Sequence, residues 1–321
     1  MALSRRDVLR GAALLGISGL DNEQPIRSNL EELTLDEYGC VVLPQGDAVA
    51  TNIWVPDLDI FRVNGIKYLF VDIGHMDRKT GIMTTPNYQI DSFLLRVAEF
   101  ENRTGHRFIL MPWNVVYASA QEPVSEFGSE AFRRNFISEY LALVGKGFDG
   151  IHLDVEAIPV AKPGEIDQRA LYLQMAADLR SELPKNKILS CYAPGVGDPR
   201  QNVYAWDKDY WTYMASIFNL MTIQTYDTGQ LTKEGFEAAL SIQLDLVKSV
   251  NAALAATHHS SIMWPIPTHK PSPETMQASI EWYNKSIGAR AADYGIIGLF
   301  LFASWTMRPE HWAYYKASKA V

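Results

Sequence analysis

A repeat constrains this chain more than any other feature. From about residue 50 onward, short apolar runs alternate with amphipathic stretches of helical period. The runs of strand length lie at 50–55, 67–73, 107–113, 150–156, 187–193, 219–226, 261–266 and 297–304. Helical patterns occupy 90–104, 129–146, 167–183, 233–256 and 274–293, with Gly147 and Pro184 placed as stops. Strands alternating with helices imply a parallel sheet buried by helices. Eight such strands are the number that closes a (β/α)8 barrel. A doubly wound open sheet competes, but it normally carries a glycine-rich phosphate loop after its first strand, and none is visible here. The expected architecture is an α/β fold, a single-domain (β/α)8 TIM barrel spanning 41–321. A segment of address character at 1–20 and a polar linker at 21–40 precede it.

The amino terminus reads Ser-Arg-Arg-Asp-Val-Leu-Arg over residues 4–10, followed by a weakly apolar stretch from Gly11 to Leu20. This resembles a twin-arginine export signal, and its apolar part is too short to span a bilayer. Asp21-Asn22-Glu23 follows at once, without an Ala-x-Ala cleavage site. The expectation is a protein exported already folded to the periplasm or beyond. No apolar run reaches the roughly 18–20 residues of a membrane span, so no stable membrane insertion of the mature domain is expected. With 29 Lys+Arg against 37 Asp+Glu, the net charge is −8, which argues against a nucleic-acid partner. Two cysteines, Cys40 and Cys191, cannot by themselves make a zinc site or a disulfide scaffold. They pair with each other or serve as small buried residues. The 8 Trp and 15 Tyr supply rings for a core and for a stacking surface suited to an uncharged ligand.

The fourth strand carries the chemistry. Phe148-Asp149-Gly150-Ile151-His152-Leu153-Asp154-Val155-Glu156 puts Ile151, Leu153 and Val155 on one face and His152, Asp154 and Glu156 on the other. In a barrel the second face points inward. Three ionisable groups there are costly unless they pair or act, and barrel active sites sit at the carboxyl ends of the strands. Two same-face carboxylates, spaced by roughly 6.5–7 Å along the strand, approach a substrate from one side. Glycosidases ordinarily flank the scissile bond with two carboxylates. A same-strand pair suits instead a nucleophile supplied by the substrate. A 2-acetamido group can attack its own anomeric carbon while Asp154 orients its N–H and Glu156 acts as general acid.

Asp149-Gly150-Ile151-His152-Leu153-Asp154-Val155-Glu156 resembles the DGxDxDxE signature of glycoside hydrolase family 18, the chitinases and endo-β-N-acetylglucosaminidases. The match is Asp149, Gly150, Asp154 and Glu156; His152 stands where the family usually has Asp. Met221-Thr222-Ile223-Gln224-Thr225-Tyr226-Asp227 resembles the family's sixth-strand motif, Pro265-Ile266-Pro267 its seventh-strand Gly-x-Pro, and Trp305 the eighth-strand Trp beneath the −1 sugar. The resemblance implies that Glu156 protonates the leaving oxygen and then activates water. It implies that Asp154 positions the acetamido group, that Tyr226 binds its carbonyl and that Asp227 helps hold the sugar. Asp149, His152 and Gln224 take supporting places, and Trp305, Trp113 and Trp264 are the candidate substrate-binding rings. His152 can hydrogen-bond Asp154 as a neutral or a charged imidazole; a charged one would hold Asp154 ionised and lower the proton affinity of Glu156. The partner implied is an oligo- or polysaccharide containing N-acetylglucosamine, with no cofactor and no metal. The segment between strands seven and eight has room for one helix only, which implies no α+β insertion and an open cleft.

Two other readings stand beside this one. A non-catalytic sugar-binding barrel is the first, favoured by His152 and opposed by the presence of Glu156. A barrel metallohydrolase is the second, drawing on Asp72, His75, His152, Asp154, Glu156, Gln224 and Asp227, although no His-x-His or His-Glu-x-x-His spacing occurs. Ser-His-Asp chemistry lacks a Gly-x-Ser-x-Gly elbow. The pair His258-His259 reads as a solvated helix end.

Overall fold

A computed structural model describes residues 39–42, 58–86, 90–117, 126–156, 167–195, 206–254 and 260–318. The strands are β1 (Gly39–Val42), β2 (Tyr68–Asp72), β3 (Gly74–Met76), β4 (Met83–Pro86), β5 (Ile109–Tyr117), β6 (Gly150–Glu156), β7 (Ile188–Ala193), β8 (Leu220–Ile223), β9 (Ser261–Pro267) and β10 (Ile296–Phe302). The helices are α1 (Leu58–Val63), α2 (Ile90–Thr104), α3 (Glu130–Lys146), α4 (Gln168–Glu182), α5 (Lys208–Ile217), α6 (Lys233–Leu254), α7 (Met276–Ser286) and α8 (Pro309–Ser318). Eight strands close a barrel in the order β1-β10-β9-β8-β7-β6-β5-β2, each pairing parallel with its neighbours. The expected (β/α)8 barrel is the architecture observed.

Closure differs from expectation at one place. The first barrel strand is Gly39–Val42, paired with both β2 and β10, so Gly39 and Cys40 fall inside the barrel rather than in the linker. The run 50–55, with Trp54, lies outside the described residues, as do residues 1–38 and the pair His258-His259. A two-stranded antiparallel hairpin, β3–β4, follows β2 and was not foreseen. Asp77 closes its turn by accepting from Lys79 N at 2.9 Å, Thr80 N at 2.7 Å and Thr80 Oγ1 at 2.9 Å.

Alternation along the strands sorts the core into two layers. Leu69, Val71, Ile151, Leu153, Val155, Leu189, Cys191, Trp264 and Ile266 face outward into the layer shared with the helices. Tyr68, Phe70, Met111, Trp113, Ile188, Leu220, Met263 and Phe300 fill the interior. The helices are stopped and started by side chains suited to it. Ser129, Asp167, Asp207 and Thr275 cap α3, α4, α5 and α7 by accepting backbone N–H bonds. Gly147, at φ 124°, ends α3, and Leu183 before Pro184 ends α4. Gly150 is required for a different reason. A Cβ there would stand 2.3 Å from Ile188 O, so the β6–β7 approach leaves no room for a side chain.

Cys40 on β1 and Cys191 on β7 stand on opposite sides of the ring of strands, far beyond the roughly 7 Å that a disulfide allows between Cα atoms. Cys191 is a free, buried thiol whose pKa burial pushes well up, which keeps it protonated. Between β9 and β10 the chain forms α7 and a 3-10 helix, Gly288–Tyr294, with no inserted domain. Among the described residues no helix is long and apolar enough to cross a membrane.

Candidate active site

The site is built around β6, whose inward positions are His152, Asp154 and Glu156. In the β5–β6 register Trp113 pairs with His152, Val115 with Asp154 and Tyr117 with Glu156. His152 lies lowest of the three and is enclosed. Its ring meets Phe70 edge-on at 4.7 Å and stacks at 6.3 Å on Phe300, and its Nδ1 lies 2.7 Å from Ser190 Oγ. It is 1% exposed, and this burial lowers its pKa to about 3. His152 is therefore a neutral imidazole across the working range, and the charged alternative is set aside. Its Nδ1 is engaged by a hydroxyl of the neighbouring strand.

Asp154, one inward step higher, is 4% exposed. Trp113 reaches diagonally across the strand pair and donates its indole N–H to Asp154 Oδ2 at 2.9 Å. Such a charge-assisted bond favours the carboxylate over the carboxylic acid. The charge of Asp154 is felt through the barrel wall, where it adds to burial in raising the pKa of Tyr140 on α3 and Cys191 on β7. Glu156 is the last residue of β6; its side chain lies outside the described set, as does that of Trp305, whose backbone forms a 3-10 turn directly after β10.

Tyr226 joins the same mouth through aromatic contacts. Phe302 stands 6.1 Å from Trp113 and stacks 5.7 Å from Tyr226, so the three rings form a continuous wall from β5 to the loop after β8. Lys270 lies 5.7 Å over the Tyr226 ring and ion-pairs with Asp227 Oδ1. Asp227 takes a positive φ of 59°. That turn is held by Glu274, a buried carboxylate that accepts from Asp227 N at 2.7 Å, Thr228 N at 2.8 Å and Thr228 Oγ1 at 2.5 Å. Gln224 is buried just past β8, its backbone N–H bonded to Ala193 O at 2.9 Å.

Two expected site residues lie elsewhere. Asp149 precedes β6 at the amino end of the barrel, where its carboxylate accepts from Leu110 N at 3.0 Å and pairs with Arg107 at 3.0 Å. It braces β5 against β6, about 20 Å along the strand from Glu156. Trp264 is fully buried on the outer face of β9 and stacks on Trp282 of α7 at 5.4 Å. A ring with no exposed face cannot stack on a sugar, and the inward place belongs to its neighbour Met263. Trp113 is buried, and its N–H is bonded to Asp154. Of the residues considered for a metal, His152 pairs with Ser190 and Asp227 with Lys270. Ser190, Lys270, Glu274 and Phe302 were missed. Ser190 alone had a readable signal, as an inward polar residue aligned with His152.

His152 makes a measurable prediction. In the fold it stays neutral down to about pH 3, whereas in the unfolded chain it takes up a proton below about 6.5. Between these values the unfolded state binds one proton more, so stability falls as pH falls. From pH 7 to pH 4 this single group is expected to remove roughly 3 kcal/mol. Urea unfolding at both pH values, for the natural protein and His152→Gln, checks it: the variant loses that share of the acid sensitivity. An equal pH slope in both proteins contradicts a neutral His152.

No sequence-family model matches the chain, and no curated protein matches it in sequence. Solved structures do match in shape. A chitinase from Bacteroides thetaiotaomicron has TM-score 0.57 at 11% identity, over 89% of this chain and 95% of that one. A glycoside hydrolase family 18 N-acetylglucosaminidase from Paenibacillus barengoltzii has TM-score 0.57 at 12% identity, over 88% and 99%. The spore cortex-lytic enzyme SleL of Bacillus cereus has TM-score 0.56 at 14% identity, over 88% and 74%. The likeness is one of fold. A glycoside hydrolase family 18 enzyme is thus among the proteins that share this barrel.

Proposed function

We propose that this protein is an exported glycoside hydrolase that cuts N-acetylhexosamine-containing glycans with retention, using the substrate's own acetamido group as nucleophile. One observation carries the reading most: a buried aspartate, Asp154, is fixed by Trp113 inside the barrel's carboxyl end, with Glu156 two residues on at the strand terminus. Glu156 gives its proton to the glycosidic oxygen as the acetamido carbonyl oxygen attacks the anomeric carbon. The carbon–oxygen bond to the leaving sugar breaks, and an oxazolinium ion forms. Asp154 accepts the acetamido N–H and offsets the positive charge that develops. Glu156, now a carboxylate, takes a proton from the water that opens the ring. Tyr226 holds the acetamido oxygen, and Trp305 supports the sugar. The wall of Trp113, Phe302 and Tyr226, with an ion pair beside it, suits a largely uncharged sugar chain. The enzymes of like fold are described as chitinase, N-acetylglucosaminidase and spore cortex-lytic enzyme. These descriptions support β-linked N-acetylglucosamine polymers, chitin or peptidoglycan, as the substrate class. The Ser4-Arg5-Arg6 start supports export.

The test is incubation of the protein lacking residues 1–20 with chitooligosaccharides, a high-mannose glycopeptide and peptidoglycan, with products read by mass spectrometry. Cleavage next to an N-acetylhexosamine supports the reading and identifies the linkage. Binding without cleavage of any of them between pH 4 and 8 contradicts it and points to a sugar-binding barrel.

A further inference from the structure

Resting on that reading of Asp154, we propose that Trp113 is the positioning residue of this site: its indole N–H, rather than the residue at 152, orients the Asp154 carboxylate for the reaction. Three observations converge. The Trp113 Nε1 to Asp154 Oδ2 bond is 2.9 Å long and joins two side chains that are 8% and 4% exposed, so water competes little for either atom. The strand register places Trp113 opposite His152 and one inward step below Asp154. A two-ring side chain from β5 therefore spans the step that a shorter residue would leave open. Finally, the residue two before Asp154 has its Nδ1 engaged elsewhere. His152 is bonded to Ser190, enclosed by Phe70 and Phe300, and kept a neutral imidazole by burial.

Trp113 itself is placed firmly. Its ring packs edge-on against Phe302, and its strand is bonded to β2 and β6 along its length. A planar indole held this way donates along one direction only, and this selects one orientation of the carboxylate. Tyr140 of α3, Tyr172 of α4 and Cys191 of β7 feel the charge of Asp154 through the barrel wall, and His152 lies one inward step below it on β6. Burial keeps the imidazole unprotonated and the phenols and thiol protonated. The Trp113 indole N–H reaches the Asp154 carboxylate at 2.9 Å.

The variant Trp113→Phe keeps a ring in place and removes the N–H. It is expected to lose on the order of 10- to 100-fold in kcat while KM changes less than about threefold. The acid limb of the kcat/KM profile should move up by about one pH unit, because the carboxylate has lost a donor. In an Asp154→Asn background the same change should cost much less, since the indole acts through Asp154. A rise in KM at unchanged kcat, or an equal loss in both backgrounds, overturns the proposal and returns Trp113 to a platform or packing role. A second measurement needs no turnover: the 13C titration of the Asp154 carboxyl in folded natural protein and in Trp113→Phe. An upward midpoint shift of about one pH unit is expected in the variant, and identical titrations overturn the proposal. Failure of the hydrolase reading shows differently, as absence of cleavage by the natural protein on every glycan.

Discussion

A Glu156→Gln protein is expected to bind its glycan and fail to turn it over. Glutamine keeps the shape of the side chain and removes the proton that the leaving oxygen needs. General acid–base groups contribute roughly 10²- to 10⁴-fold, and the loss should appear in kcat with KM nearly unchanged. Placement supports an effect of this size. Glu156 closes β6 at the carboxyl end of the barrel, paired in register with Tyr117 at the last position of β5. That backbone position ends the strand at the mouth of the barrel, whereas the residue two positions earlier is buried. Steady-state rates beside calorimetric binding of the same oligosaccharide separate the two effects. Loss of binding in parallel with rate would make Glu156 a recognition residue instead.

Asp154→Asn is expected to be the second large effect, with a loss of roughly 10²- to 10³-fold in kcat, the cost of removing one preorganised electrostatic partner of a transition state. Its stability should move the other way. Asparagine still offers an oxygen to the Trp113 N–H, and the barrel interior no longer holds a charge that is 4% exposed. The melting temperature should stay level or rise, as it does where a buried charge serves function at the expense of the fold. Thermal unfolding and rates on the same preparations test this. A marked drop in Tm would make Asp154 a bracing residue, and the rate loss would then say nothing about chemistry.

The parts of this fold legible in the sequence are those where local pattern and global place agree. Gly150–Glu156 was read at its observed bounds, because apolar residues on one face and ionisable residues on the other leave one orientation in a barrel. The first strand was not legible. Gly39–Val42 is four residues long and lies beside a polar stretch, while the longer apolar run at 50–55 has the stronger local signal. Barrel closure, a non-local demand, sets Gly39–Val42 between β2 and β10. The hairpin of Gly74–Met76 and Met83–Pro86 has no alternation to read, and its turn is made by the Asp77 carboxylate. Trp264 was assigned by its position near a strand end. The alternation Ile262, Trp264, Ile266 against Met263 and Pro265 would have placed it outside. Glu274 holds the Asp227 turn across 47 residues, and no sequence spacing encodes such a contact. His152 was visible as a departure, but its neutrality follows from Phe70, Phe300 and Ser190, which meet it only once the barrel closes.

The central claim is that the nucleophile comes from the substrate, and the stereochemistry of the first product tests it most directly. The natural protein would be mixed with a β-linked N-acetylglucosamine oligomer and followed by 1H NMR within the first turnovers, before the new reducing end mutarotates. Two inversions at the anomeric carbon, by acetamide and then by water, predict that the β-anomer forms first. Appearance of the α-anomer first would mean direct attack by water and would contradict the assignment of Asp154 and Glu156 to a substrate-assisted reaction.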